Sequence, residues 1–193
     1  MAVSSLMVPL GTPVPDFELP SITGQRVARS DLDGPALLVM FLCNHCPYVR
    51  HVERALGAIV AEYAERGLAA VGICSNDIDA YPDDGPDGLA SQARRAGFAF
   101  PYLVDDEQQA AAAFRAMCTP DLFLYDADGR LAYRGAFDDS TPRNGQPVSG
   151  ELLRQALDLV LRGEPVPEPH RPSMGCSLKW KPGNQPGWLV LSG

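Results

Sequence analysis

The sequence predicts an α/β fold in which parallel strands form the middle of a sheet and an antiparallel hairpin forms one edge. Three observations predict this fold class: the apolar run Ala36–Leu42, the helical spacing of apolar residues over Tyr48–Arg66, and the alternation of strand-like and helix-like segments that follows. A chain of 193 residues with 46% hydrophobic residues can bury one core without disulfides or metal ions. We expect one domain over residues 1–181, including an extended C-terminal strap from about residue 164, and a tail over residues 182–193.

The first part of the chain predicts a hairpin and two buried strands. Pro9–Leu32 is rich in turn residues, and its short β-like pieces at Asp16–Leu19 and Gln25–Ala28 predict an N-terminal hairpin. Gly67 is the residue type that ends helices, so it closes the first predicted helix. The apolar run Leu68–Cys74 then predicts a second buried strand.

The middle of the chain predicts a loop, two helices and a strand. Asp79–Gly88 carries two prolines and two glycines, so we expect a loop. The segments Leu89–Gly97 and Glu107–Met117 have helical composition, the latter through its alanine run. The apolar segment Phe100–Val104 predicts the strand between them. These elements form a β-α insertion ahead of the final hairpin.

The next segment predicts that hairpin and a last helix. Asp126–Gly129 is a strong turn signal because Gly129 tolerates the positive φ that such turns need, and it separates strands at Asp121–Tyr125 and Leu131–Gly135. Ser149 is a good N-cap residue for the amphipathic helix Gly150–Leu161.

The strap begins with the proline-rich run Glu164–Pro169, which favours an extended conformation. In Ser173–Trp180, apolar residues alternate with small or polar ones, as in a strand with one buried face. We therefore predict that this segment docks against the domain. Two roles for Cys176 stay open: a small apolar filler, or an auxiliary thiol or metal ligand beside the dithiol described next.

The sequence Cys43-Asn44-His45-Cys46 lies between a predicted strand and a predicted helix, and Pro47 suits the first helical turn. Unpaired backbone N–H groups and the helix dipole favour negative charge there. The pattern predicts a redox-active dithiol in which Cys43 is the more exposed thiol and has a lowered pKa. A protonated His45 would lower that pKa further, although a solvated His45 with no redox role is equally consistent with its position.

Charge and hydropathy exclude several classes of partner. The formal net charge of −8 argues against nucleic acid and anionic membranes, which reward basic surfaces. The N-terminal residues lack the pattern of a signal peptide, and no segment approaches the roughly 20 apolar residues of a membrane span. We expect a cytoplasmic protein, where a CxxC motif is more often catalytic or metal-binding than structural. No glycine pattern indicates a nucleotide or flavin, and we expect no cofactor.

The chain resembles the thioredoxin-like superfamily. The CxxC between strand and helix, the later Cys118-Thr119-Pro120 and the order of elements carry this resemblance. The sequence segments PDFELP and FLYDADGRLAYRG are similar to those of the peroxiredoxin-like and ResA-like, AhpC/TSA-type branch of redoxins. The resemblance implies a thioredoxin-like fold with a central mixed sheet flanked by helices. It also implies a cis bond between Thr119 and Pro120 that faces the dithiol and lets an extended substrate pair with Thr119.

Two features depart from these families. The predicted strand Ala36–Leu42 contains no carboxylate, whereas thioredoxins carry a buried acidic residue there, so the proton-transfer group is not identified from the sequence. Cys46-Pro47 resembles the peroxidatic Cys-Pro pair of peroxiredoxins, but the threonine that precedes it in that family is replaced by Cys43.

Three functions follow as alternatives. The first is a thiol–disulfide oxidoreductase that uses Cys43 and Cys46, with disulfide substrates and a thiol electron donor. The second is a thiol-dependent peroxidase, and the third is a metal-binding protein that uses the same thiols with Cys176 or His45. Cys118 is either a further redox thiol or a buried spectator, and His51 and Cys74 fit packing roles better than functional ones.

Overall fold

The computed structural model describes residues 2–192, and the side chains of residues 2–189. The strands are β1 (Ala2–Ser4), β2 (Glu18–Pro20), β3 (Arg26–Ala28), β4 (Ala36–Phe41), β5 (Leu68–Cys74), β6 (Tyr102–Val104), β7 (Cys118–Thr119), β8 (Asp121–Tyr125), β9 (Leu131–Arg134) and β10 (Met174–Ser177). The α-helices are α1 (Pro47–Ala64), α2 (Pro86–Ala96), α3 (Gln109–Phe114) and α4 (Glu151–Leu161). Short 3-10 helices span Arg29–Asp31, Pro82–Asp84 and Gly187–Ser192.

The central sheet has five strands in the order β6-β5-β4-β8-β9. Strands β4, β5 and β6 are parallel, whereas β8 and β9 form the antiparallel edge. Every residue of β4 is buried, because both faces of the sheet are covered. Helices α1, α2 and α4 pack on one face, and α3 and the β2–β3 hairpin pack on the other. The predicted mixed sheet flanked by helices is confirmed.

A second sheet has three antiparallel strands in the order β1-β10-β7. Its central strand, β10, is the part of the strap that the sequence predicts to be extended and docked, and this prediction is confirmed. Beyond it, the ring of Trp188 packs edge-on against Trp180 with the ring centroids 6.4 Å apart. Among residues 2–192, no helix is long and apolar enough to cross a membrane.

Two predicted helices have the wrong bounds. Helix α2 begins at Pro86 and not at Leu89, because a proline is well suited to the first position of a helix. Helix α3 is shorter than the predicted span Glu107–Met117. The residues on either side of it, Gln108 and Arg115, have left-handed φ angles of 59° and 56°. A right-handed helix cannot continue through residues in this conformation.

Candidate active site

The dithiol lies where the central strand passes into the first helix. Strand β4 ends at Phe41, and α1 begins at Pro47 with Cys46 as its N-cap residue. All five cysteines are free thiols. Cys43 and Cys46 are both 0% exposed. The prediction that Cys43 is the more exposed thiol is therefore wrong.

Thr119 contacts both sulfur atoms. Its Oγ1 lies 3.2 Å from Cys43 Sγ, and its carbonyl oxygen accepts a hydrogen bond from the Cys46 thiol at 3.1 Å. The peptide bond between Thr119 and Pro120 is cis, the isomer that the resemblance implies. The CxxC and the Thr-Pro, which lie far apart in the sequence, thus form one site.

Negative charge is favoured at Cys46. A hydrogen bond from Cys43 outweighs the effect of burial and, with hydrogen bonds from Cys176 and Thr119 and the backbone N–H of Val49, lowers the pKa of Cys46 to about 4. The same Cys43–Cys46 hydrogen bond, burial and the charge of Asp84 raise the pKa of Cys43 well above its usual value.

This distribution of charge reverses the prediction for the dithiol. The sequence pattern predicts the lowered pKa at Cys43, which lies before the helix. The hydrogen bond from Cys43 makes the largest contribution to the lowered pKa of Cys46, and the backbone N–H of Val49 in the first turn of α1 adds to it. The lowered pKa therefore belongs to the second cysteine of the motif.

A third thiol lies beside Cys46. Cys176 in β10 is the register partner of Thr119 in β7, and its side chain is half-buried. Burial and a hydrogen bond with Cys46 raise the pKa of Cys176 to about 11. The adjacent Cys118 is 0% exposed, and its thiol donates to the carbonyl of Pro120 at 3.5 Å. Burial raises the pKa of Cys118, so this thiol stays protonated.

Asp84, in the segment that the sequence analysis describes as a loop, holds the CxxC in place. Its Oδ1 accepts hydrogen bonds from the backbone N–H groups of Asn44 and His45 at 2.8 and 3.1 Å. Its Oδ2 accepts one from Asn76 at 2.8 Å and lies 2.6 Å from Nδ1 of His45. Burial disfavours the carboxylate, but these donors outweigh it and hold the pKa of Asp84 below its usual value.

The imidazole of His45 is fixed from two sides. Beside its contact with Asp84, it stacks on Tyr81 with ring centroids 5.1 Å apart and an interplanar angle of 19°. A freely solvated His45 is therefore excluded. Cys43, His45 and Asp84 each offer an atom within 4.8 Å of the other two, a donor set that suits a metal such as zinc. The His45–Asp84 pair and the N–H donors of the loop already account for this cluster.

Helix α2 contacts the CxxC motif through two of its polar side chains. Gln92 donates to the carbonyl of Cys43 at 3.1 Å, and Arg95 donates to the side chain of Asn44 at 3.0 Å. Arg95 also forms an ion pair with the buried Glu53 of α1 at 2.7 Å. These contacts are not predicted from the sequence, because apolar periodicity predicts a helix but does not identify the partners of its polar side chains.

The remaining predicted residues lie further from the sulfur atoms. His51 Nε2 is 3.0 Å from Ser140 Oγ, on the wall of a cavity of about 60 Å³ that Pro120 and Met174 also line. Cys74 ends β5 and is buried, which raises its pKa and keeps it protonated. Pro47 is exposed at the start of α1.

Comparison with known proteins agrees with this architecture. Residues 10–134 match the AhpC/TSA family. Over 153 residues the chain is 20% identical to the thiol-disulfide oxidoreductase ResA of Bacillus thuringiensis, covering 79% of this chain and 77% of ResA. A crystal structure of an uncharacterized conserved protein from Geobacillus kaustophilus has a TM-score of 0.92 and 46% identity, and the match covers 95% of this chain and 98% of the other.

A more distant structure shares the fold. A thiol:disulfide interchange protein of the thioredoxin family from Chlorobium tepidum has a TM-score of 0.61 and 20% identity, over 78% of this chain and 97% of the other. The predicted thioredoxin-like fold and redoxin branch are confirmed: the chain belongs to the AhpC/TSA family.

Proposed function

We propose that the protein is a thiol–disulfide oxidoreductase that uses the Cys43–Cys46 dithiol. The observation that carries this proposal is the meeting of both sulfur atoms at Thr119, whose Oγ1 contacts Cys43 Sγ and whose carbonyl oxygen contacts Cys46 Sγ. The lowered pKa of Cys46 supports it. A dithiol of this kind can attack a disulfide and then close into a disulfide of its own. The similarity to ResA, a thiol-disulfide oxidoreductase by name, supports the same activity.

In this mechanism, Cys46 is the nucleophile. Its thiolate attacks one sulfur of a substrate disulfide and forms a mixed disulfide, and the other substrate sulfur leaves as a thiolate. Cys43 then loses its proton and attacks the Cys46 sulfur, which releases the second substrate thiolate. The substrate gains two electrons, and the protein keeps a Cys43–Cys46 disulfide. A thiol electron donor reduces this disulfide and restores the site.

The proton of Cys43 needs an acceptor, because the hydrogen bond with Cys46 and burial raise the pKa of Cys43 and keep the thiol protonated. The His45–Asp84 pair lies within 4.8 Å of the Cys43 sulfur. We assign it the proton-transfer role for which the sequence of β4 offers no carboxylate. His45 is partly exposed and can pass the proton to solvent, whereas Asp84 orients the imidazole.

The structure changes the expected route by which a substrate reaches the dithiol. The resemblance implies that an extended substrate pairs with Thr119 as an added strand, but β10 itself pairs with Thr119 in this structure. While β10 is docked, a substrate strand cannot take the place of β10 beside Thr119. We therefore favour small disulfides, or disulfides on flexible segments, as substrates.

The Cys46-Pro47 pair favours peroxide reduction as a second candidate function. The cysteine with the lowered pKa is the one directly before this proline, as in the peroxidatic Cys-Pro pair. Its thiolate would attack one peroxide oxygen, releasing the other as water or alcohol and leaving a sulfenic acid. Cys43 would then condense with the sulfenic acid, releasing water and forming the same Cys43–Cys46 disulfide.

We expect the two cysteines to differ strongly in reactivity at pH 6. The Cys46→Ser variant should react with 4,4′-dithiodipyridine about 100-fold more slowly than the native protein, since it lacks the thiolate. The Cys43→Ser variant should keep the fast first step through Cys46. Stopped-flow absorbance measures both rates, and mass spectrometry identifies the modified cysteine.

Cys74→Ala serves as the control, because Cys74 is a buried thiol of β5. Fast modification of Cys43 in the Cys46→Ser variant would assign the nucleophile to Cys43. Comparing the rate constants of Cys46 toward hydrogen peroxide and toward oxidised glutathione decides between the two candidate functions: a faster reaction with the disulfide supports the oxidoreductase.

A further inference from the structure

We infer that Cys176 is a third redox-active thiol that competes with Cys43 for a disulfide bond to Cys46. The inference rests on the proposed function, because it requires Cys46 to react with an external disulfide. The geometry that carries it is the placement of β10 against β7, which puts Cys176 opposite Thr119, the residue whose own atoms contact the sulfur atoms of Cys43 and Cys46. Cys176 also packs against the core cluster that contains both cysteines.

The approach of β10 to the site is close and requires a glycine. A Cβ atom on Gly175 would lie 2.0 Å from the carbonyl oxygen of Thr119 and 3.1 Å from the nitrogen of Pro120. Only a residue without a side chain allows the strand to pass there. The next residue, Cys176, is thereby placed opposite Thr119, whose own atoms contact both Cys43 and Cys46.

The position of Cys176 is fixed from both ends of β10. Before the strand, the backbone N–H of Ser173 donates to Ser5 Oγ at 3.0 Å, and Ser173 Oγ donates to Gly135 at 2.6 Å. After the strand, the backbone N–H of Leu178 donates to the carbonyl of Met117 at 3.1 Å. The thiol therefore remains beside the dithiol in the folded protein.

This placement resembles that of a bound substrate. The strand pairs with Thr119, the position expected for an extended substrate, and it presents a cysteine to Cys46. When Cys46 carries a mixed disulfide with an external thiol, either neighbouring thiol can resolve it. Attack by Cys176 forms a Cys46–Cys176 disulfide, and its proton passes to the departing substrate thiolate.

A second exchange connects the two internal disulfides. Cys43 attacks the Cys46 sulfur of the Cys46–Cys176 disulfide, the Cys176 sulfur leaves as a thiolate, and it takes up the proton that Cys43 gives up. No electrons leave the protein in this step. Cys46 is thus shared between two disulfides.

The Cys43→Ser variant tests this inference, with 5,5′-dithiobis(2-nitrobenzoate) as the external disulfide. Attack by Cys46 releases one equivalent of coloured thionitrobenzoate, and resolution of the adduct releases a second. We expect two equivalents from Cys43→Ser and one from Cys43→Ser/Cys176→Ser. We expect two from Cys43→Ser/Cys118→Ala, the control for the neighbouring buried thiol. Peptide mapping of the Cys43→Ser product should show a Cys46–Cys176 disulfide.

A stable adduct on Cys46 with one equivalent released by Cys43→Ser would overturn the inference. The native protein reports on the proposed function separately, because it should release two equivalents whichever thiol resolves the adduct. No fast release from it would refute the proposed function itself. If the variants do not fold, native protein oxidised with half an equivalent of reagent and quenched in acid should contain the Cys46–Cys176 peptide. Its absence there also contradicts the inference.

Discussion

Replacing Gly175 by alanine is expected to destabilise the folded protein by about 3 kcal/mol and to uncover the dithiol. The new Cβ atom would lie 2.0 Å from the Thr119 carbonyl oxygen and 2.6 Å from its carbonyl carbon. Both are backbone atoms and cannot rotate away, so β10 must separate from β7. Urea denaturation should show the loss of stability, and the rate of Cys46 modification by iodoacetamide should show the exposure.

Gly187→Ala provides the matched control. A Cβ atom on Gly187 would meet nothing within 4 Å, and the residue is exposed. We expect the free energy of unfolding of this variant to lie within about 0.5 kcal/mol of the native value. If Gly175→Ala behaves like this control, and its Cys46 is no more reactive, β10 does not cover the dithiol as described.

The second large effect concerns Asp121, which follows the Thr119–Pro120 pair. Burial raises its pKa to about 7, against the backbone N–H groups of Met117 and two neighbouring residues. Its Oδ1 has no hydrogen-bond partner among the residues that the structure describes. The folded protein therefore holds a proton on Asp121 between about pH 4 and pH 7 that the unfolded chain has lost.

The sign of the pH dependence follows from this difference. The folded state binds the extra proton, so Asp121 contributes most to the free energy of unfolding below about pH 4. This contribution falls as the pH rises to about 7. A pKa rise of this size corresponds to a loss of at most about 4 kcal/mol. We expect Asp121→Asn to remove this decline and to be the more stable protein at pH 8.

Urea denaturation at pH 4.5, 6 and 8 measures this dependence. The exposed Asp128→Asn is the control and should keep the native pH profile. An Asp121→Asn variant with the native profile would show that Asp121 is ionised in the folded protein at neutral pH.

The order and type of most elements follow from the sequence because each depends on local pattern. The buried strand β4, the helix α1 and the hairpin around Gly129 all have strong periodicity or turn signals. Strand β1 has none: three residues, Ala2–Ser4, are extended because β10 from the other end of the chain pairs with them. Such a strand depends on its partner and cannot be predicted locally.

In the candidate site, too, the residues in local motifs are predicted from the sequence, and the contacts between distant segments are not. Cys43, Cys46 and the Thr119–Pro120 pair are recognised as motifs, and the structure brings them together. The assignment of the lowered pKa to Cys43 fails because the pKa values depend on hydrogen bonds between side chains that the sequence does not show. Asp84 is missed because a carboxylate in an acidic loop has the sequence pattern of a solvated surface. Its role depends on that loop folding back onto the N–H groups of Asn44 and His45.

The pairing of β1 with β10 has a consequence for synthesis of the chain. Ala2 lies opposite Cys176, so these strands can pair only after nearly the entire described sequence has left the ribosome. The central sheet and α1 are complete well before that point, because their last strand, β9, ends at Arg134. A growing chain therefore presents Cys46 without its covering strand. During that interval the dithiol lacks both the cover of β10 and the third thiol, Cys176, that this strand places opposite Thr119.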